Sequence, residues 1–163
     1  MITSDFLESE SLRLLAELTE AHGVPGAEDA VRKIFQRELS GQGEMRADRL
    51  GSVACFRPGA GPRVLVAGHF DEVGFAVQSI TPAGFLKIVA LGGWWTHTLV
   101  AQRVRILTRS GKEILGVVGS TPPHFLGEAA KDKVLPLEQL YVDIGAGSRS
   151  EVEALGVALS TSS

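Results

Sequence analysis

Over the first forty residues, apolar positions recur at helical spacing. Leu7, Leu14, Leu15 and Leu18 fall on one helical stripe, acids sit in the first turns, and Thr3 or Ser4 can cap the start. His22 and Gly23 close this helix, and Pro25 blocks its continuation. A second helix is expected from about Gly26, with Val31, Ile34, Phe35 and Leu39 as its buried stripe and Gly41 as its end. Ala47 to Phe56 reads as extended chain around the turn residues Leu50, Gly51 and Ser52, and residues 57–62 as a loop.

The spacing then changes. Val64 to Ala67 is a continuous apolar run, the pattern of a strand buried on both faces of a parallel sheet. After Gly74 come short strand candidates at Phe75–Ile80, Phe85–Leu91, Val100–Thr108 and Ile114–Val118, separated by turn residues such as Pro82-Ala83-Gly84 and Ser110-Gly111. Val104 and Ile106 alternate with Arg103 and Arg105, so one face of that strand is buried and the other wet. A helical turn is expected near Leu137–Gln139, a last strand at Leu140–Ile144, a short helix at Ser148–Leu155, and a disordered polar tail at Ser160–Ser163. The expected fold class is α/β. The opening of a layer of helices and strands, residues 1–73, is followed by a β-rich domain, residues 74–157, of barrel or sandwich type, and by the tail 158–163.

Composition narrows the function. A net charge of -3 provides no basic field, which argues against nucleic acid and anionic membrane as partners. A single cysteine, Cys55, excludes an internal disulfide framework and fits a reducing compartment. With no leader-like pattern at Met1 and no long apolar run, a cytoplasmic location is expected.

The chemistry concentrates at the end of the apolar run, where Val64–Phe75 reads VLVAGHFDEVGF. Ligands of open α/β sheets bind beyond the carboxyl ends of strands. His69 stands at such an end and can offer a ring nitrogen to a metal. Asp71, two residues on, can accept a hydrogen bond from the other ring nitrogen and fix the tautomer. A His-x-Asp pair is a short motif with many chance matches. The residues alone therefore leave both a metal ligand and an ordinary polar strand end open.

The segment Gly68-His69-Phe70-Asp71-Glu72-Val73-Gly74 resembles the Ala-His-Met-Asp-Glu-Val-Gly segment of the glutamyl-aminopeptidase/TET family of dinuclear metallo-aminopeptidases, some members of which have been labelled endoglucanases or cellulases. Further stretches are similar in family order: residues 23–29, 48–52, 91–94, 102–104, 116–124 and 143–157. The resemblance implies an α/β/α metallopeptidase layer interrupted, near residues 72–75, by an inserted β-rich dimerisation domain of barrel or PDZ-like character. It implies that His69 ligates one of two divalent ions, zinc or cobalt, and that Asp71 orients it. It also implies a peptide substrate cleaved at its N-terminal residue, and a homo-oligomer built from dimers. Glu72 is matched in type and receives no chemical role.

A two-metal hydrolase also needs a bridging carboxylate, further ligands and a general base. By the resemblance these follow the inserted domain, beyond Val157. The isolated chain is accordingly expected to be an inactive N-terminal portion of the enzyme, with at most partial metal occupancy. Among the other histidines, His22 suits a helix C-terminus, His97 lies in a Gly/Trp-rich loop, and His124, after Pro122-Pro123 in the β-rich region, suggests a structural or interface role. Residues 145–150 lack the third glycine of a dinucleotide turn, and Ser148 lacks the flanking glycines of a nucleophile elbow. Glycoside hydrolysis would need two carboxylates facing one site, whereas Asp71 and Glu72 alternate across an extended chain. The remaining alternative is a non-catalytic dimerisation module, in which Trp94 and Trp95 serve an interface.

Overall fold

Two compact units divide the chain, Met1–Glu72 and Val73–Ser163. The computed structural model describes residues 4–125 and 133–159. The expected tail at 160–163 and the Thr3 cap lie outside the described residues, as does the side chain of Leu7.

In the first unit, α1 spans Ser4–Glu20 and α2 spans Asp29–Glu38. Val31 and Ile34 of α2 are buried, and Leu14 and Leu18 of α1 are half-buried. Leu15, expected on the buried stripe, is instead 58% exposed. It lies about 100° of helical turn beyond Leu14, at the margin of the stripe, and is left largely uncovered among the described residues. Charge joins the two helices. The Arg37 guanidinium grips both carboxylate oxygens of Glu17 at 2.6 Å and also meets Glu38. Arg13 donates to Glu10, Glu17 and Glu38.

The hairpin that follows pairs β1, Glu44–Ala47, with β2, Val53–Phe56, in antiparallel register from Glu44↔Phe56 to Ala47↔Val53. Its turn is tied by the Asp48 carboxylate, which accepts from the N–H groups of Leu50 and Ser52 at 2.9 Å. The hydrogen bonds with Ser52 hold Asp48 below the ordinary carboxylate range.

Residues 64–67 correct the expectation of a buried parallel strand. No strand pairs with them among the described residues, and Val64, Leu65 and Val66 are 81%, 87% and 93% exposed. The sequence pattern asks for neighbours on both edges and cover on both faces. The hairpin β1–β2 pairs only within itself and leaves the run without a partner.

The second unit is a five-stranded antiparallel sheet in the order β3-β4-β7-β6-β5. Its strands are β3, Gly74–Ile80; β4, Leu86–Leu91; β5, Arg103–Leu107; β6, Glu113–Gly119; and β7, Tyr141–Asp143. Strands β3 and β5 form its edges. The helix α3, Arg149–Ala154, starts at Ser148, whose Oγ accepts from the Glu151 N–H. Ile80, Leu86, Ile88, Val118, Leu140, Val142, Val152 and Val157 form one core beneath the sheet. Each fully buried aliphatic side chain contributes about 1.5–3 kcal/mol. The β3–β4 turn requires Gly84, which holds φ +87° and would place a Cβ only 2.5 Å from the Ala146 carbonyl oxygen. The short strands, the 3-10 turn at Leu137–Gln139 and α3 all fall where periodicity and turn residues put them.

Two outcomes follow from the first unit. Hydrogen bonds from Arg37 are the leading cause holding Glu17 and Glu38 below the ordinary carboxylate range. A depressed folded pKa means that the unfolded chain binds more protons, so stability rises with pH through that window. The contribution of the network is present above about pH 4.3 and is lost as pH falls through the lower folded values. In urea midpoints measured against pH, Glu17→Gln with Glu38→Gln should lower the neutral plateau modestly, since exposed pairs are individually weak, and flatten the acid limb by the same amount. Separately, the amides of residues 64–67 should exchange with solvent at nearly unstructured-peptide rates in the dilute chain, while those of β4 are protected. Slow exchange at residues 64–67 would show that the run is covered.

Candidate active site

Beyond the exposed run, residues 68–73 belong to no helix or strand, and the contacts of successive side chains alternate. Phe70 turns toward the helices and meets the Phe35 ring edge-on, with centroids 5.2 Å apart. Glu72 turns the same way. Its N–H donates to the Gly23 carbonyl at 2.7 Å, and its Oε1 accepts from the Gly23 N–H at 3.3 Å. His69 and Asp71 are left together on the other side. The imidazole is 83% exposed, and its Nδ1 lies 2.8 Å from the Asp71 carbonyl oxygen and 3.0 Å from Asp71 Oδ1.

This geometry determines the tautomer. A carbonyl oxygen and a carboxylate can only accept, so Nδ1 carries the proton and donates to both. In the neutral ring, Nε2 then keeps its lone pair and stays open to the solvent side. A histidine held this way by an outer carboxylate is the usual form of a metal ligand. The donor set fits one coordination position of a divalent ion, with His69 Nε2 as the ligand and Asp71 behind it. It does not fit a whole site, because no cluster of three or more His, Cys, Asp or Glu side chains is present among the described residues.

Beside this segment, α1, α2 and residues 66–70 enclose an open cleft of about 560 Å³, lined mainly by Leu14, Leu18, Ile34, Phe35, Val66 and Phe70, with His69 and Glu72 at its border. Trp94, Trp95, His124 and Ser148 belong to the second unit. Trp94 and Trp95 have different environments. Trp94 stacks on Phe75 at 4.7 Å and donates Nε1–H to the Gly74 carbonyl, whereas Trp95 is 68% exposed and meets the His97 ring edge at 4.8 Å. His124 packs on its neighbour Phe125 at 4.4 Å. Ser148 serves as a helix cap.

Comparison with known proteins shows the family of the chain. Residues 51–162 match the family described as M42 glutamyl aminopeptidase, and residues 9–35 match a shorter one described as AMPT. The chain belongs to the M42 glutamyl aminopeptidase family. It is 38% identical over 155 residues to the lysyl aminopeptidase of Pyrococcus furiosus, covering 91% of this chain and 43% of that protein. Among solved structures it resembles the TET aminopeptidase of a marine-sediment thaumarchaeote, with a TM-score of 0.88, 39% identity, and coverage of 93% of this chain and 43% of that one. The Pyrococcus horikoshii TET1 peptidase, described as assembling into a tetrahedron or a large octahedral shell, matches with a TM-score of 0.80 and 30% identity over 91% of this chain and 44% of its own. The M42 chain thus spans less than half the length of these relatives.

Two residues of the site escaped the sequence reading. Glu72 receives no role from the sequence, and Gly23 enters only as a helix terminator and as the start of the similar stretch 23–29. The linear pattern gives no sign of their pairing, because they lie 49 positions apart.

Proposed function

We propose that these 163 residues form the N-terminal portion of an M42 metallo-aminopeptidase that removes N-terminal residues from peptides. The observation that carries this is the His69–Asp71 pair, with Nδ1 committed and Nε2 free, in a chain of the M42 family. His69 supplies one metal ligand through Nε2, and Asp71 holds the ring and raises its basicity. Two divalent ions, zinc or cobalt, when bound, activate a water and polarise the scissile carbonyl. The remaining ligands and the general base come from outside these residues, which is supported by the absence of a ligand cluster among the described residues and by the 43% coverage of the lysyl aminopeptidase.

Residues 1–73 then belong to the peptidase layer, residues 74–157 form its inserted β-rich domain of barrel or PDZ-like type, and residues 158–163 continue from it. The whole protein is a cytoplasmic homo-oligomer built from dimers, a reading supported by the assemblies named for the Pyrococcus horikoshii relative. The exposed Trp95 suits such contacts.

With zinc or cobalt added, the purified chain should not hydrolyse aminoacyl-4-nitroanilides, and robust turnover would refute the division of labour. In a hybrid carrying this chain in place of the equivalent part of the thaumarchaeal TET aminopeptidase, turnover should return. Asp71→Ala in that hybrid should lower metal affinity or activity roughly 10–100-fold. An unchanged hybrid would remove Asp71 from the site.

A further inference from the structure

We propose that Glu72 and Gly23 are positioning residues that orient the His69 imidazole through a single peptide plane. The proposal rests on His69 being the ligand named above. The carbonyl of Asp71 and the N–H of Glu72 belong to one peptide unit, which is planar and trans. Its N–H donates to the Gly23 carbonyl at 2.7 Å, and its carbonyl, pointing the opposite way, accepts from His69 Nδ1 at 2.8 Å. Whatever fixes one end of this plane fixes the other. The two bonds are in series, so each polarises the next and strengthens it.

The Glu72 side chain locks the Gly23 end. Its Oε1 accepts from the Gly23 N–H, so both polar backbone groups of that glycine are held by one residue. The glycine itself is required for the approach, since a Cβ there would lie 3.0 Å from Val31 Cγ2 and 3.2 Å from the Phe70 carbonyl oxygen. Phe70, pinned against Phe35, prevents the segment from rolling about its own axis. The α1–α2 connection therefore sets the tautomer and direction of the His69 ring.

The test uses the 163-residue chain and the nitrogen chemical shifts of His69, measured where the imidazole is neutral. Wild type should show the Nδ1–H form in excess. Glu72→Ala should reduce the Nδ1–H to Nε2–H ratio roughly three- to tenfold, the effect of one hydrogen bond. Glu72→Gln keeps an acceptor oxygen at the same reach and should preserve the ratio, while Gly23→Ala should reproduce the Glu72→Ala shift by displacing the Phe70 carbonyl. Urea midpoints measured alongside separate orientation from stability. A Glu72→Ala variant that loses stability but keeps the wild-type ratio would overturn the proposal, as would equal shifts in Glu72→Ala and Glu72→Gln. The metallopeptidase reading fails by a different result, an Asp71→Ala hybrid with undiminished metal affinity and activity, which leaves the tautomer ratio of the isolated chain untouched.

Discussion

Alternation of side-chain contacts along residues 69–72 is the constraint from which the candidate site follows. A strand-like backbone sends successive side chains to opposite sides. Phe70 and Glu72 are spent on anchorage, one against Phe35 and one on the Gly23 backbone. His69 and Asp71 are thereby thrown together on the free side, with the ring nitrogen 3.0 Å from the carboxylate. A shift of one residue would bury the histidine and expose the phenylalanine, and the ligand geometry would vanish.

The same segment explains why so much apolar surface is open. Three consecutive aliphatic residues stand exposed just before the histidine. Unpaired backbone edges and bare aliphatic chains are what a protein normally covers. Here the run leads directly to a ring whose Nε2 is likewise without a protein partner among the described residues. Among the described residues, neither the run nor that nitrogen is covered. The β-rich unit differs in this respect. Its core of Leu86, Val118, Leu140 and Val152 is closed, and its sheet is paired throughout apart from its two edges.

Much of the second unit was legible because its signals are local. Turn residues mark the ends of β3 to β6, and the alternation of Arg103, Val104, Arg105 and Ile106 identifies the wet face of β5. Ser148 followed by Glu151 announces the cap of α3. The first unit was legible in its helices and misleading in its strand. The run at residues 64–67 correctly reports a preference for burial, but burial depends on neighbours that the pattern cannot supply. Leu15 shows the same limit on a smaller scale, since an apolar residue can sit on a stripe and still find nothing to pack against.

What the sequence by itself determined is the chemistry available and its spacing: one imidazole, a carboxylate two residues on, and a family resemblance that runs along nearly the whole chain. These depend on residue type and short range, which a linear pattern carries in full. Only the tertiary structure decided which ring nitrogen is committed, that Glu72 and Gly23 hold the peptide behind it, and that Trp94 is packed while Trp95 is exposed. Each of those turns on contacts whose distances are set by the packing of the folded chain, and packing is a property of the folded whole rather than of any stretch of residues.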